Sequence, residues 1–108
     1  MKINIGKDFA RYPAGRFRSD GPSSGQRFRE EFLEPALKSD SRNVDVVLSD
    51  AIGLKSSFLE EAFGGLIRAG YDGAEVLRRI QFTSKDPTLP EEIVQYIQKQ
   101  IRSKSNES

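Results

Sequence analysis

The sequence predicts a small α/β sandwich, with a mixed sheet of about four strands and three main helices. Three observations predict it. Strand-like and helix-like apolar periodicities alternate along the chain, the pattern of an α/β domain. Val44, Val46, Val47 and Leu48 form a nearly continuous β-branched run, as expected of a central strand covered on both faces. An S/T-x-x-E/Q signature stands before each of three helical stripes: Ser23 with Gln26, Ser57 with Glu60, and Thr88 with Glu91.

Taken in order, Met1–Ile5 alternates Ile3 and Ile5 with polar neighbours and reads as a first strand. Gly6-Lys7-Asp8 reads as a turn and Phe9–Arg18 as irregular chain, with Gly15–Ser19 the candidate for a second strand. Asp20-Gly21-Pro22 is a turn. Phe28, Phe32, Leu33, Ala36 and Leu37 then share one helical face, with Pro35 expected to kink that helix or end its regular part. Lys38–Asn43 reads as a polar linker into the central strand. The helix after it carries Phe58, Leu59, Ala62, Phe63, Leu66 and Ile67 as one stripe, and Gly70 is placed to end it. Gly64-Gly65 inside it costs about 1 kcal/mol per glycine against alanine, so close approach to the sheet, or else a partner surface, is expected there. Tyr71-Asp72-Gly73 is a turn, Gly73–Arg78 a short helical turn, and Arg79–Ser84 a half-buried strand through Ile80 and Phe82. The last helix is marked by Ile93, Ile97 and Ile101, with Pro90 in its first turn, and Ser103–Ser108 reads as a solvated, disordered tail.

At 108 residues the chain is one domain. It has neither Cys nor His, which removes thiol nucleophiles, imidazole bases and the usual zinc sites. No phosphate loop of Walker or Rossmann type is present, and no catalytic residue, metal or cofactor is expected. No apolar run approaches membrane-spanning length and no secretory signal opens the chain, so the cytoplasm is the expected compartment. The net charge of +1 offers no global field for nucleic acid, yet Arg11, Arg16, Arg18, Arg27 and Arg29 are concentrated in one segment.

The stretch VVLSDAIGLKSSFLEEAFGGL resembles the central strand, D-S-S-G-L loop and helix of STAS domains. More closely, the chain from Ile3 to about Ile101 is similar to a bacterial family described as STAS-like and of unknown function. The shared features are Ile5-Gly6-Lys7-Asp8-Phe9, Gly15-Arg16, Asp20-Gly21, Ser24-Gly25, Phe28-Arg29, Ser56-Ser57-Phe58 and Phe63-Gly64-Gly65. The resemblance implies a STAS-like domain over residues 1–102. It also implies kinship with anti-sigma-factor antagonists, in which a serine of the loop is phosphorylated by a partner with a histidine-kinase-like ATPase fold. Ser56 falls at that phosphoacceptor position, with Lys55 where the motif has Asp and Phe58 where it has Gly.

Two places follow as candidate sites. Ser57 is expected to cap its helix, which leaves Ser56 exposed near the positive end of the helix dipole, where a phosphate would meet free N–H groups and Lys55. Arg16, Arg18, Arg27 and Arg29 surround Ser24 and Gly25 at the start of another helix, a pattern suited to anion binding. In a STAS-like topology both loops open at one end of the sheet. Equally, Arg27 and Arg29 can pair with Glu30, Glu31 or Glu34 along their own helix. The expectation is a non-enzymatic signalling or protein-interaction module with a histidine-kinase-like ATPase partner. The alternatives are a nucleotide- or anion-binding sensor and a nucleic-acid-associated regulator.

Overall fold

A computed structural model describes residues 1–40 and 42–105. Three strands form the sheet: β1 (Lys2–Asn4), β2 (Val44–Val47) and β3 (Ile80–Thr83). Their order is β1-β2-β3 and both pairings are parallel, with Ile3 opposite Val46 and Val46 opposite Phe82. The sheet is therefore parallel with three strands, not mixed with four. Parallel neighbours need crossovers, and crossovers are right-handed. Two crossovers taken in the same direction leave their helices on one face of the sheet. That face carries Ile3, Val44, Val46, Leu48 and Ile80, all buried. The other face carries Lys2, Asp45, Gln81 and Thr83, and Thr83 donates to the Asp45 carboxylate at 3.1 Å. The continuous apolar run of β2 does not mean two covered faces; Val47 alone is buried on the polar side.

Gly15–Ser19 is not a strand. Its backbone instead serves the next helix, as described below. Ile5–Phe9 forms one wide helical turn closed by Ala10 N–H on Ile5 O at 2.8 Å, and it folds Phe9 back onto Phe28 with ring centroids 5.2 Å apart. Gly25–Phe28, Arg29–Leu33 and Glu34–Ser39 run on as a single helix, α1, residues 25–39. Its middle segment is a wide turn in which Glu34 N–H reaches Arg29 O, five residues back. Pro35 follows directly and has no N–H to give. The helix therefore passes through the proline and ends at Ser39, rather than near Leu33.

Ser56–Leu59, Glu60–Gly64 and Gly65–Arg68 likewise form one helix, α2, residues 56–68, again with a wide turn in the middle. Phe58, Leu59, Ala62, Phe63, Leu66 and Ile67 are all buried, as the stripe predicts. The glycine pair is explained by side chains and not by the sheet: Gly64 lies against Gln100, and a Cβ on Gly65 would run into the Arg29 guanidinium. α3 (Gly73–Arg79) is capped by the Asp72 carboxylate on Glu75 N–H at 3.2 Å. The last helix, α4 (Thr88–Ser105), packs along the wide turn of α2. It is not opened by a Thr88–Glu91 box. The Asp86 carboxylate takes both Thr88 N–H, at 2.9 Å, and the Thr88 hydroxyl, at 2.6 Å. Residues 103–105, expected in the tail, continue this helix; 106–108 lie outside the described residues. No helix among the described residues is long and apolar enough to cross a membrane.

Candidate functional site

The two crossover helices begin differently, and that difference defines the site. At α1 the cap is Ser24, not Ser23. Its hydroxyl accepts from Arg27 N–H at 3.2 Å and the residue is fully buried. Gly25 N–H goes to Gly15 O at 3.0 Å, Gln26 N–H to Arg16 O at 3.0 Å, and Phe28 N–H to Ser24 O at 3.1 Å. All four amides of the first turn are thus engaged within the chain. The segment expected as a strand supplies the carbonyls that do this, and Gln26 reaches back to take Arg18 N–H at 2.9 Å. Gly25 itself is held where a Cβ would stand 2.5 Å from Phe58 O, so its place in the sequence reflects close contact between α1 and α2.

The arginines around this start are equally occupied. Arg18 pairs with Glu30 at 2.8 Å and Glu31 at 3.2 Å; Arg27 pairs with Glu31 at 3.2 Å. Arg29 is nearly buried and bonds Glu34 at 3.0 Å, the Glu61 carboxylate at 2.6 Å and the Glu61 carbonyl at 2.8 Å. Arg16 leaves the segment entirely and pairs with Glu60 on α2. Glu60 also holds Arg68 at 2.7 Å, and Arg68 reaches Glu61 at 3.0 Å. The anion site expected of Arg16, Arg18, Ser24, Gly25, Arg27 and Arg29 does not match this geometry, because glutamates already neutralise the guanidinium groups and the helix amides have partners. The pairing of Arg27 and Arg29 along their own helix is what the structure displays.

At α2 the start is open. The helix begins at Ser56 with Lys55 at the capping position, and no side chain caps it. Ser57 is two residues past the capping position, and Glu60 is drawn away from the helix start by Arg16 and Arg68. Among the described residues, Ser56 and Ser57 N–H have no hydrogen-bond partner. Ser56 and Lys55 are exposed and Ser57 is half-buried, while Phe58 and Leu59 dip straight into the core. Ser56 stands one turn before Glu60, so the two share a face. On the same side lies a cleft of about 360 Å³ lined by Arg16, Glu60, Arg68, Tyr96, Lys99 and Gln100. The structure thus brings Ser56 and Arg16 to one region, with Glu60 between them, and leaves Arg18 and Arg27 on the outer side of α1.

The electrostatics follow this geometry. Burial raises the Glu60 pKa, but hydrogen bonds from Arg68 and Arg16 outweigh it and hold the carboxylate below its ordinary range. The Tyr96 phenol is raised, first by burial and then by its hydrogen bond to Glu92, with the Ser56 hydroxyl opposing. Sequence reasoning missed Arg68 and Tyr96. Arg68 lies eight residues after Glu60, beyond the usual helical pairing distance. A wide turn of about 4.4 residues plus an ordinary one of 3.6 brings positions eight apart onto one face.

A family model described as STAS-like domain of unknown function (DUF4325) matches residues 24–89. The chain belongs to that family. The match runs from the Ser24 cap of α1 to the start of α4, and so includes β2, the whole open start of α2, and β3. β1 and the loop that seals α1 lie outside it. No curated protein and no solved structure matches the chain. In this STAS-like domain, then, Ser56 sits at the first position of the helix that follows the central strand.

Proposed function

We propose that this STAS-like domain is a non-enzymatic regulatory module that binds a partner protein at the start of α2, with Ser56 as the residue contacted or phosphorylated. One observation supports this most. Ser56 is exposed in the first turn of a helix whose leading amides are uncapped, while the corresponding turn of α1 is sealed. Negative charge added at Ser56 meets the positive end of the α2 dipole, two open N–H groups and Lys55. The partner class is a protein with a histidine-kinase-like ATPase fold, by analogy with the STAS members whose loop serine is phosphorylated. The arginines around Ser24 are paired with glutamates, so that segment offers no cationic surface for an anion or a nucleic acid.

The test is a pull-down with the full chain as bait, followed by binding and phosphorylation assays on wild type, Ser56→Ala and Ser57→Ala. Loss of modification in Ser56→Ala alone, with partner affinity altered by Ser56→Asp, is the expected result. Normal binding by Ser56→Ala, with no phosphate on either serine, would remove the proposal.

A further inference from the structure

A second polar site lies just beyond the carboxyl ends of β1 and β2, where parallel sheets hold their ligands. It is a cleft of about 460 Å³ lined by Gly6, Lys7, Arg11, Ser49, Asp50 and Ile52. Asn4 at the end of β1 organises it. The Asn4 side-chain oxygen accepts from Lys7 N–H at 3.1 Å, and its amide donates to one Asp50 oxygen at 2.7 Å. That bond, with the fields of Lys7 and Lys85, holds the Asp50 carboxyl below its ordinary range, so it is an anion at neutral pH. Its other oxygen, Oδ1, has no hydrogen-bond partner among the described residues. Ile52 N–H donates to Arg11 O at 2.7 Å and ties the two walls together. Ser49 accepts from Lys85 N–H at 3.1 Å, which leaves its hydroxyl proton free to donate.

The charge here is arranged differently from that of the arginines around α1 and α2. Arg16, Arg18, Arg27, Arg29 and Arg68 each have a glutamate. Arg11 forms no ion pair among the described residues, and Lys7 has only Asp50, at 3.9 Å. Two cations four residues apart on the segment after β1, a hydroxyl donor and an ionised acceptor with one oxygen to spare therefore converge on one cleft. Two separated cations fit a dianion better than a single carboxylate, which one arginine can satisfy alone. Asp50 calls for a ligand that also donates, and Ile52, half exposed, supplies an apolar wall. We infer that the cleft binds a small phosphate monoester of a hydroxylated molecule, the phosphate held by Lys7, Arg11 and Ser49 and a ligand hydroxyl donating to Asp50. The inference does not depend on Ser56 or on a partner protein.

The experiment follows backbone amide shifts of the full chain by NMR during titration with glycerol 3-phosphate, inorganic phosphate and glycerol. Glycerol 3-phosphate is expected to saturate and to move Gly6, Lys7, Arg11 and residues 49–52. Inorganic phosphate should act there more weakly, and glycerol should do nothing. Lys7→Gln and Arg11→Gln should each weaken glycerol 3-phosphate about tenfold, the loss of one charge-assisted bond. Asp50→Asn is the deciding variant: it should weaken glycerol 3-phosphate while strengthening inorganic phosphate, because only glycerol 3-phosphate carries a carbon-bound hydroxyl that can donate to Asp50 while Lys7, Arg11 and Ser49 hold its phosphate. Shifts centred on residues 56–58, equal gains for both anions in Asp50→Asn, or no saturation with glycerol 3-phosphate would each overturn the inference.

Discussion

α1 and α2 are close counterparts in sequence and opposites at their first turns. Both are announced by a serine-based capping signature, both carry an apolar stripe, and both pass through a wide turn at mid-length. In α1 every leading amide is engaged, and the segment before it is folded back to do so. In α2 the residue at the capping position is Lys55, and the glutamate that would complete a box is held by Arg16 from the loop before α1 and by Arg68 at the far end of the same helix. Capping signatures are local, and a charged partner at tertiary distance can override them. The comparison also separates structural charge from available charge. Arg29 and Glu61 bind the two wide turns together in the interior, where Gly65 N–H has turned to Glu60 O and Arg29 donates to the Glu61 carbonyl instead.

The largest test of that joint is Arg29→Ala. It removes the donor to a buried carboxylate and to a buried carbonyl, and Arg68 compensates only part of the Glu61 charge. The loss should be about 3–5 kcal/mol, the cost of breaking a buried pair from one side. Chemical denaturation reads it directly. A loss below about 1 kcal/mol would mean that the two helices are held by apolar packing alone.

Acid comes next. Glu30 is held below its usual range chiefly by Arg18, Glu31 chiefly by Arg27, and Glu60 by Arg68 and Arg16 against the effect of burial. Their folded pKa values lie under their unfolded ones, so the network stabilises the fold above the ordinary glutamate range and that contribution fades as pH falls through the depressed values. The urea midpoint should be flat from neutrality down to about pH 5 and then drop. A midpoint unchanged at pH 3 would show that the surface pairs carry no net stability, as exposed pairs often do not.

Smaller again is Ser24→Ala, expected to cost about 1–2 kcal/mol, since it strips a cap that is buried and leaves Arg27 N–H unpaired. A change within about 0.5 kcal/mol would mean that the carbonyls of Gly15 and Arg16 suffice to start α1.

What the sequence disclosed divides along the same line. The central strand and the α2 stripe were legible because burial writes them as an apolar period: Val44, Val46 and Leu48 on one face, Phe58 to Ile67 on the other layer. Sheet direction was not legible, because it depends on the crossovers rather than on any residue in a strand. Gly15–Ser19 reads as a strand, yet Gly15 takes a positive φ, Arg18 begins a tight helical turn, and the Gly15 and Arg16 carbonyls serve helix amides instead of a ladder. Pro35 looked like a stop, and the wide turn ahead of it was invisible to a pattern of fixed period. Among the candidate residues, the exposure of Ser56 at the start of α2 was legible through its place after the strand. The fate of the arginines was left open between an anion and their own glutamates; Arg29 with Glu61 and Arg16 with Glu60 required contacts across more than thirty residues.

The smallest expected effect discriminates most sharply between the two helix starts. Ser57→Ala makes the same chemical change as Ser24→Ala, at the serine which its sequence signature marks as a cap. If Ser57 capped α2, its loss would cost about 1 kcal/mol. In the structure Ser57 lies inside the helix, its hydroxyl makes no hydrogen bond among the described residues, and Glu60 is committed to Arg16 and Arg68. Alanine is also the better helix former, by roughly half a kcal/mol. Ser57→Ala should therefore be neutral to slightly stabilising, within about 0.5 kcal/mol of wild type. Measured beside Ser24→Ala under one set of conditions, the pair should differ by about 1 kcal/mol or more. Equal losses for the two would place a working cap at Ser57, seal the start of α2 like that of α1, and leave Ser56 an ordinary loop hydroxyl.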